Sequence, residues 1–328
     1  MRKNRRTAVW ILLVIIIVII AVIVVLQVKS ARSRQAMEEY RTQGIEQMDN
    51  GDYESAYESF TLAMENAGSS FGDLELDISY YRALAAYNCG DSDTAYQIYT
   101  DIMDYDTANF SPYYLRGCVL AAEGNTADAC ADFDTAVSMN TDDYELYINI
   151  YYSLSEAGAD KKANGYLKQA LALSAEDADA LASQGYISWL LGKEDTAVTT
   201  LNEAVDAGSM EALLYLGVVQ AASDDADSAK DSFDRYYESV SSDAEAVLLL
   251  AQKTLESGLA DAAVTYYAAA VELNADTDDV RTARRGQITA CETAGDFETA
   301  AELIASYLED YPDDADAQKE QEFIQTRQ

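Results

Sequence analysis

Two hydrophobic patterns divide the chain. From Ala8 to Leu26 every residue is apolar, with no polar face at any helical or strand period. Nineteen such residues at about 1.5 Å each reach about 28 Å, the thickness of a bilayer core. After residue 36 the pattern becomes periodic. Ala56, Ala95, Ala129, Ala163, Ala197, Ala229, Ala263 and Ala300 recur, four of their seven spacings being 34 residues. Each is followed four residues later by a large apolar side chain: Phe60, Tyr99, Phe133, Leu167, Leu201, Phe233, Tyr267 and Ile304. Five residues before each stands glycine, at 51, 90, 124, 158, 192, 258 and 295, with Asp224 the one exception. A self-similar period near 34 marks stacked helical hairpins, and the predicted fold class is all-α.

With the glycine taken as position 15, repeats start near residues 37, 76, 110, 144, 178, 210, 244 and 281. Each predicts a first helix over positions 2–14, a turn at 15–17 and a second helix over 18–30. Glycine ends the first helix in a conformation that a Cβ penalises. Asp52, Asp91 and Asp296 follow the turn as caps for the second helix. Between repeats, Asn140-Thr141-Asp142-Asp143, Ser241-Ser242-Asp243 and Asp276-Thr277-Asp278-Asp279 cap the next first helix. Position 8 is small in Gly44, Ala83, Gly117, Gly185, Gly217 and Ala251, and is expected to face the alanine at position 20 where the hairpin is tightest.

These residues resemble the tetratricopeptide repeat. Tyr40-Gly44-Gly51-Asp52-Tyr53-Ala56-Phe60-Ala63 is similar to that family's pattern, as is Tyr113-Gly117-Gly124-Ala129-Phe133-Ala136. The proline usual near position 32 occurs only as Pro312, and Gly286 falls outside the pattern. The resemblance covers residues 37–312. It implies a right-handed superhelical solenoid of eight helix-turn-helix repeats that binds a protein or peptide rather than catalysing a reaction. The segments then run 1–6 as a basic tail, 7–28 as a transmembrane helix, 29–36 as a linker able to continue that helix, 37–312 as repeats and 313–328 as a polar C-terminal helix.

Charge sharpens this reading. The chain holds 22 basic and 58 acidic residues. Four of the basic ones, Arg2, Lys3, Arg5 and Arg6, precede the apolar run, and no acid precedes Glu38. So acidic a body repels nucleic-acid phosphates and anionic lipid; the charge reads as solubility and spacing away from the membrane, with a cationic partner the sharper alternative. Lys29, Arg32 and Arg34 follow the run, so the basic-residue bias is small, but the charge-dense tail would have to cross in the reverse topology, and the expectation is tail inside and repeats outside. A cleaved leader would carry a shorter apolar core and a small-residue exit, whereas this run ends Leu26-Gln27-Val28-Lys29. The expectation is a single-pass protein of a bacterial plasma membrane.

Candidate chemistry is sparse. Histidine is absent, which removes nucleophile–histidine catalysis, and no phosphate-binding glycine motif occurs. No cofactor or metal is expected: the aspartate-rich junctions lack the glycine and terminal glutamate of a calcium loop. Cys89, Cys118, Cys130 and Cys291 read as small, buried or half-buried apolar residues, with Cys118 and Cys130 the one pair worth testing for a disulfide. By the resemblance, the inner face is lined by positions 2, 5, 9, 12 and 13 of the first helices. These supply Tyr80, Tyr87, Tyr114, Tyr152, Tyr186 and Trp189, with Glu156 and Glu256 as position-13 acids. Position-2 acids (Glu145, Asp179, Glu211, Glu245) carry less weight, because the helix dipole favours an acid there. The family's clamp for a carboxylate tail has no counterpart, since Tyr80, Leu84, Tyr114 and Cys118 stand in its place. The reading is a membrane-anchored scaffold or adaptor, not an enzyme. A self-associating spacer in envelope assembly is the alternative, and a carboxylate-based hydrolase a remote one.

Overall fold

The structure, a computed structural model, describes residues 2–68, 71–274 and 279–327, with side chains from residue 22 onward. Among the described residues there are seventeen α-helices and no strand. In order these are α1 (Arg2–Asp49), α2 (Tyr53–Glu65), α3 (Asp73–Asn88), α4 (Ser92–Met103), α5 (Ser111–Ala122), α6 (Thr126–Met139), α7 (Tyr144–Glu156), α8 (Asp160–Ala170) and α9 (Ala178–Leu190). They continue as α10 (Glu194–Asp206), α11 (Glu211–Ala222), α12 (Ala226–Val240), α13 (Ala244–Glu256), α14 (Ala260–Leu273), α15 (Asp279–Ala294), α16 (Phe297–Asp310) and α17 (Ala315–Gln325). The chain divides into two compact units. One holds residues 1–141 and 152–159, the other residues 142–151 and 160–328.

α1 is 48 residues long and carries the apolar run, the basic stretch after it and the first helix of the first hairpin without a break. Its sequence explains this, because no glycine or proline occurs before Gly44. Arg34 with Glu38 at 3.0 Å and Gln35 with Glu39 at 2.9 Å add one-turn pairs across residues 29–36. Among the described residues no helix is long and apolar enough to cross a membrane. Most of the Ala8–Leu26 run lies outside the residues whose side chains are described.

The repeat signals become packing. All eight period alanines are fully buried, and their eight large apolar followers are at most 4% exposed. Where position 8 is glycine, its nearest neighbour across the hairpin is the large side chain at position 24. A Cβ on Gly44 would lie 2.6 Å from the Phe60 ring, and one on Gly117 equally close to Phe133. On Gly185 it would meet Leu201 at 2.7 Å, and on Gly217 the Phe233 ring. Each of these four hairpins is therefore a knob of one helix set into a gap of the other. Gly286 joins the scheme from outside the repeat register. Repeat seven has Ala251 at position 8, and the Tyr267 ring of α14 instead fills the space above Gly286 in α15.

Seven turn glycines hold φ between +71° and +81°, the left-handed region. Asp224 takes the same conformation at φ +60°. Its hydrogen bonds are those of the glycine turns: Asp224 N–H donates to Ala221 O and Asp225 N–H to Gln220 O, as Gly51 does to Met48 O and Asp52 to Gln47 O. The next helix then starts on a capping aspartate: Asp52, Asp91, Asp225 and Asp296 accept from the N–H three residues on. Asp143 and Asp243 cap α7 and α13 in the same way. Residues 276–278, expected to cap α15, lie outside the described residues.

α17 docks through Ala317 and Ile324, both fully buried beside Ile288, Cys291 and Ile304. Its cap, Asp314, accepts from Ala317 N–H at 2.9 Å and from the Tyr307 hydroxyl at 2.7 Å, and pairs with Arg281 at 2.9 Å. Burial pushes this carboxyl up, but those three partners together pull it down to about 2. Cys89 corrects the reading of the cysteines, being exposed at the C-cap of α3, while Cys118 and Cys130 are half-buried and Cys291 is buried. None of the four forms a disulfide.

An L residue at φ +60° carries a strain that glycine does not. Asp224→Gly is expected to stabilise the protein by about 0.5–1 kcal/mol, against a small entropic loss. Thermal unfolding reads this directly: the variant's midpoint rises, and a fall would show that Asp224 is held by contacts its backbone does not reveal.

Candidate partner-binding site

The expected inner-face residues fall in both units. In the first unit, Tyr80 on α3 is half-buried and donates its hydroxyl to Asp106 at 3.0 Å. Its ring leans at 50° against Tyr99. Burial first, and then Asp106, push that hydroxyl well above the ordinary tyrosine range, so it stays a neutral donor. Tyr87 packs half-buried onto the cluster around Ala95 and Ile98. Tyr114 on α5 tilts onto Phe133 with ring centres 6.1 Å apart. Tyr152 is 40% exposed, and Glu156 is exposed at the end of α7. The Cys118 thiol lies among these groups. Burial raises it, hydrogen bonds with Tyr114 and Ser153 oppose the rise, and Glu156 adds to it.

In the second unit, Tyr186 and Trp189 on α9 form two layers of an aromatic stack with centres 5.4 Å apart and planes 25° apart. Tyr215 on α11 is the third layer, 4.4 Å from Tyr186 and 8° from parallel. Tyr186 is the buried middle layer, at 7% exposure. Trp189 and Tyr215 are half-buried on either side of it. Offset stacks of this kind are worth about 0.5–1.5 kcal/mol per pair beyond area burial. They hold the outer rings rigid, so little entropy remains to be lost when a ligand meets them.

Acids close the stack on one side. The Tyr215 hydroxyl donates to Glu211 Oε1 at 2.6 Å. The buried Ser209 hydroxyl donates to Asp179 at 2.6 Å and accepts from Ala212 N–H, which ties the start of α11 to α9. Burial raises the Glu211 carboxyl, the Tyr215 hydroxyl opposes that, and Asp179 and Glu145 raise it further. Among the described residues no lysine or arginine forms an ion pair with Glu145, Asp179 or Glu211. Glu256 stands apart from this group: it is exposed and pairs with Lys253 at 2.8 Å, within α13. Of the two basic residues at inner-face positions, Arg41 pairs with Asp77 at 2.5 Å, and Arg285 with Glu320.

Sequence reasoning reached Tyr186 and Trp189 but missed Tyr215, which sits at position 6, off the expected face. It also discounted Glu211 as a dipole-complementing acid. The spacing of Glu211 and Tyr215, four residues apart on one helix, is the signal that joins them.

The repeats themselves match known family models. Residues 211–240 and residues 248–315 each match a tetratricopeptide-repeat model. These stretches carry tetratricopeptide repeats. Similar solved structures include a tetratricopeptide repeat protein from Parabacteroides merdae, 16% identical over 77% of this chain and 99% of that one, with TM-score 0.39. The C-terminal part of a repeat-containing protein from Cytophaga hutchinsonii is 15% identical over 74% and 98%, with TM-score 0.36. The APC/C hetero-tetramer Cut9–Hcn1 is 14% identical over 86% of this chain, with TM-score 0.37, and this chain spans 54% of that one. No curated protein matches the sequence.

Glu211 tests the electrostatics of the stack. A carboxyl whose folded pKa lies above its ordinary value contributes most to stability below that value, and the contribution is lost as pH rises through the folded pKa. At neutral pH the charged form is therefore a burden, which glutamine removes while still accepting from Tyr215. Glu211→Gln is expected to unfold at a higher temperature than the parent at pH about 7.5, the gain shrinking as pH falls toward about 4.5 and vanishing below it. A lower midpoint at neutral pH would mean that the charge is already compensated.

Proposed function

We propose that this chain is a membrane-anchored scaffold that holds a protein or peptide partner carrying a basic segment. Its helical hairpins belong to a repeat class whose members bind proteins. The recognition surface in the second unit is the Trp189–Tyr186–Tyr215 stack with Glu211, Asp179 and Glu145 beside it. One observation carries this reading: three acids adjoin a rigid aromatic stack, with no basic side chain ion-paired to them among the described residues. A lysine or arginine from outside would stack on an outer ring and neutralise Glu211, turning a standing cost into binding energy. Tyr114, Tyr152 and Glu156 offer the first unit's own contacts in the same style.

The anchor is supported by the described end of the apolar run. Val22, Ile23, Val24, Val25, Leu26 and Val28 are 47–65% exposed around the full turn of α1. Water tolerates such a surface poorly, and lipid accepts it. Arg2, Lys3, Arg5 and Arg6 support a reading with the N-terminus inside and the hairpins outside, in a bacterial envelope setting. Because α1 runs unbroken into the first hairpin, about 16 Å of helix separates Leu26 from Met37, and the array starts at the membrane surface. A partner also confined to the membrane meets it at high effective concentration.

A photo-crosslinking residue at Leu190, used in intact membranes, tests the surface. The parent chain is expected to capture a discrete partner, and Trp189→Ala to lower the yield about tenfold or more. Equal capture by the variant would remove the stack from the binding surface.

A further inference from the structure

α17 is held to the rest of the second unit by two polar contacts of opposite character. At its start, Asp314 has a full set of donors. One turn into it, Glu320 reaches α15, where it pairs with Arg285 and meets a second carboxyl, Glu292. Glu292 Oε1 and Glu320 Oε2 are both sealed from solvent; Glu320 Oε2 has the Arg285 guanidinium beside it, while Glu292 Oε1 has no hydrogen-bond donor among the described residues. Two carboxyl groups in contact, sharing one guanidinium, cannot both be charged without strong repulsion. A proton between them supplies the missing donor.

We propose that Glu292 and Glu320 form a proton-sharing latch, so that the C-terminal helix seals the last hairpin when the pair holds a proton and releases it when that proton is lost. The groups acting on Glu292 are few. Glu320 comes from α17, and Arg285 from Glu292's own helix. From α16, Tyr307 lies beneath the Arg285 guanidinium at 5.5 Å. From α14, Tyr267 fills the space at Gly286, and Glu256 of α13 acts on Tyr267. Burial first, and then Glu320, push Glu292 up to about 7, with Arg285 opposing. In the released state it returns toward 4.5. A raised acid favours docking at low pH, and the advantage is lost as pH rises between those two values. The deprotonated pair keeps one net negative charge beside Arg285, while the Asp314 contacts stay intact. Release therefore frays the body of the helix and leaves its cap tethered.

What release uncovers is specific. Cys291 shares one buried cluster with Ala317 and Ile324 and is fully buried while α17 is docked. Opening exposes this thiol, together with the apolar end of the last hairpin around Ile288 and Ile304.

The test is alkylation of Cys291 in the full-length protein, resolved by mass spectrometry and compared at each pH with a Glu292→Gln variant, so that thiol ionisation cancels. Glutamine stands in for the protonated acid, and its helix stays docked. The expected ratio of parent to variant rates is near one at about pH 5 and about tenfold or more at about pH 8. Cys118, in the other unit, should show no such ratio, which separates release from general unfolding. Should Glu292→Gln fail to fold, Glu320→Gln removes the same repulsion and is expected to give the same ratios. A ratio near one at both pH values overturns the proposal, as does a rise shared by Cys118.

Discussion

The structure depends on a size complementarity repeated along the chain. In four of the hairpins one helix offers a gap, a glycine at position 8, and the other offers a large side chain at position 24. A Cβ added at Gly44, Gly117 or Gly217 would overlap a phenylalanine ring. Two helices approach this closely only if their chain reverses within two or three residues, which is what the left-handed turn residue allows. The buried alanine at position 20 then sits where the second helix has just left the turn. Turn, gap and knob are one device: removing any of them leaves the other two without purpose.

That device accounts for where the candidate site lies. Hairpins packed in this way place the first helices of neighbouring repeats side by side, and α9 and α11 meet closely enough for Tyr186 and Tyr215 to stack at 4.4 Å. The stack is rigid because its middle layer is buried. The Glu211 charge beside it is a burden to folding and, under the proposed function, a resource for binding. Such a conflict between stability and recognition is what a binding surface is expected to retain.

Much of this was legible in the sequence. The turn glycines announced themselves by regular spacing, and Asp224 stood out as the break in that rule, although only the structure reveals that it adopts the glycine conformation all the same. The caps at Asp52, Asp91 and Asp296 followed from residue chemistry. Facing partners were harder. A period gives the position of a residue in its repeat but not what lies across from it, so the large side chain at position 24 as the nearest neighbour of the position-8 glycines is visible only in the structure. Burial was harder still. Tyr186 was read as a contact residue, yet it is the covered layer of the stack, and Tyr215 escaped because it lies off the expected face. Glu292 and Glu320 are 28 residues apart, and nothing local in either segment marks them as neighbours.

Gly217 and Phe233 form the most demanding pair for the central claim. Replacing a helical glycine with alanine ordinarily stabilises a helix by about 1 kcal/mol. Here Gly217→Ala is expected to destabilise the protein, because overlap with the ring costs about 1–3 kcal/mol and outweighs that gain. In a Phe233→Leu background, where the knob is smaller, the same change is expected to become neutral or stabilising. Denaturant unfolding of the four proteins in this cycle yields the coupling. Stabilisation by Gly217→Ala in both backgrounds would contradict the account, since the hairpin would then not depend on the gap at all.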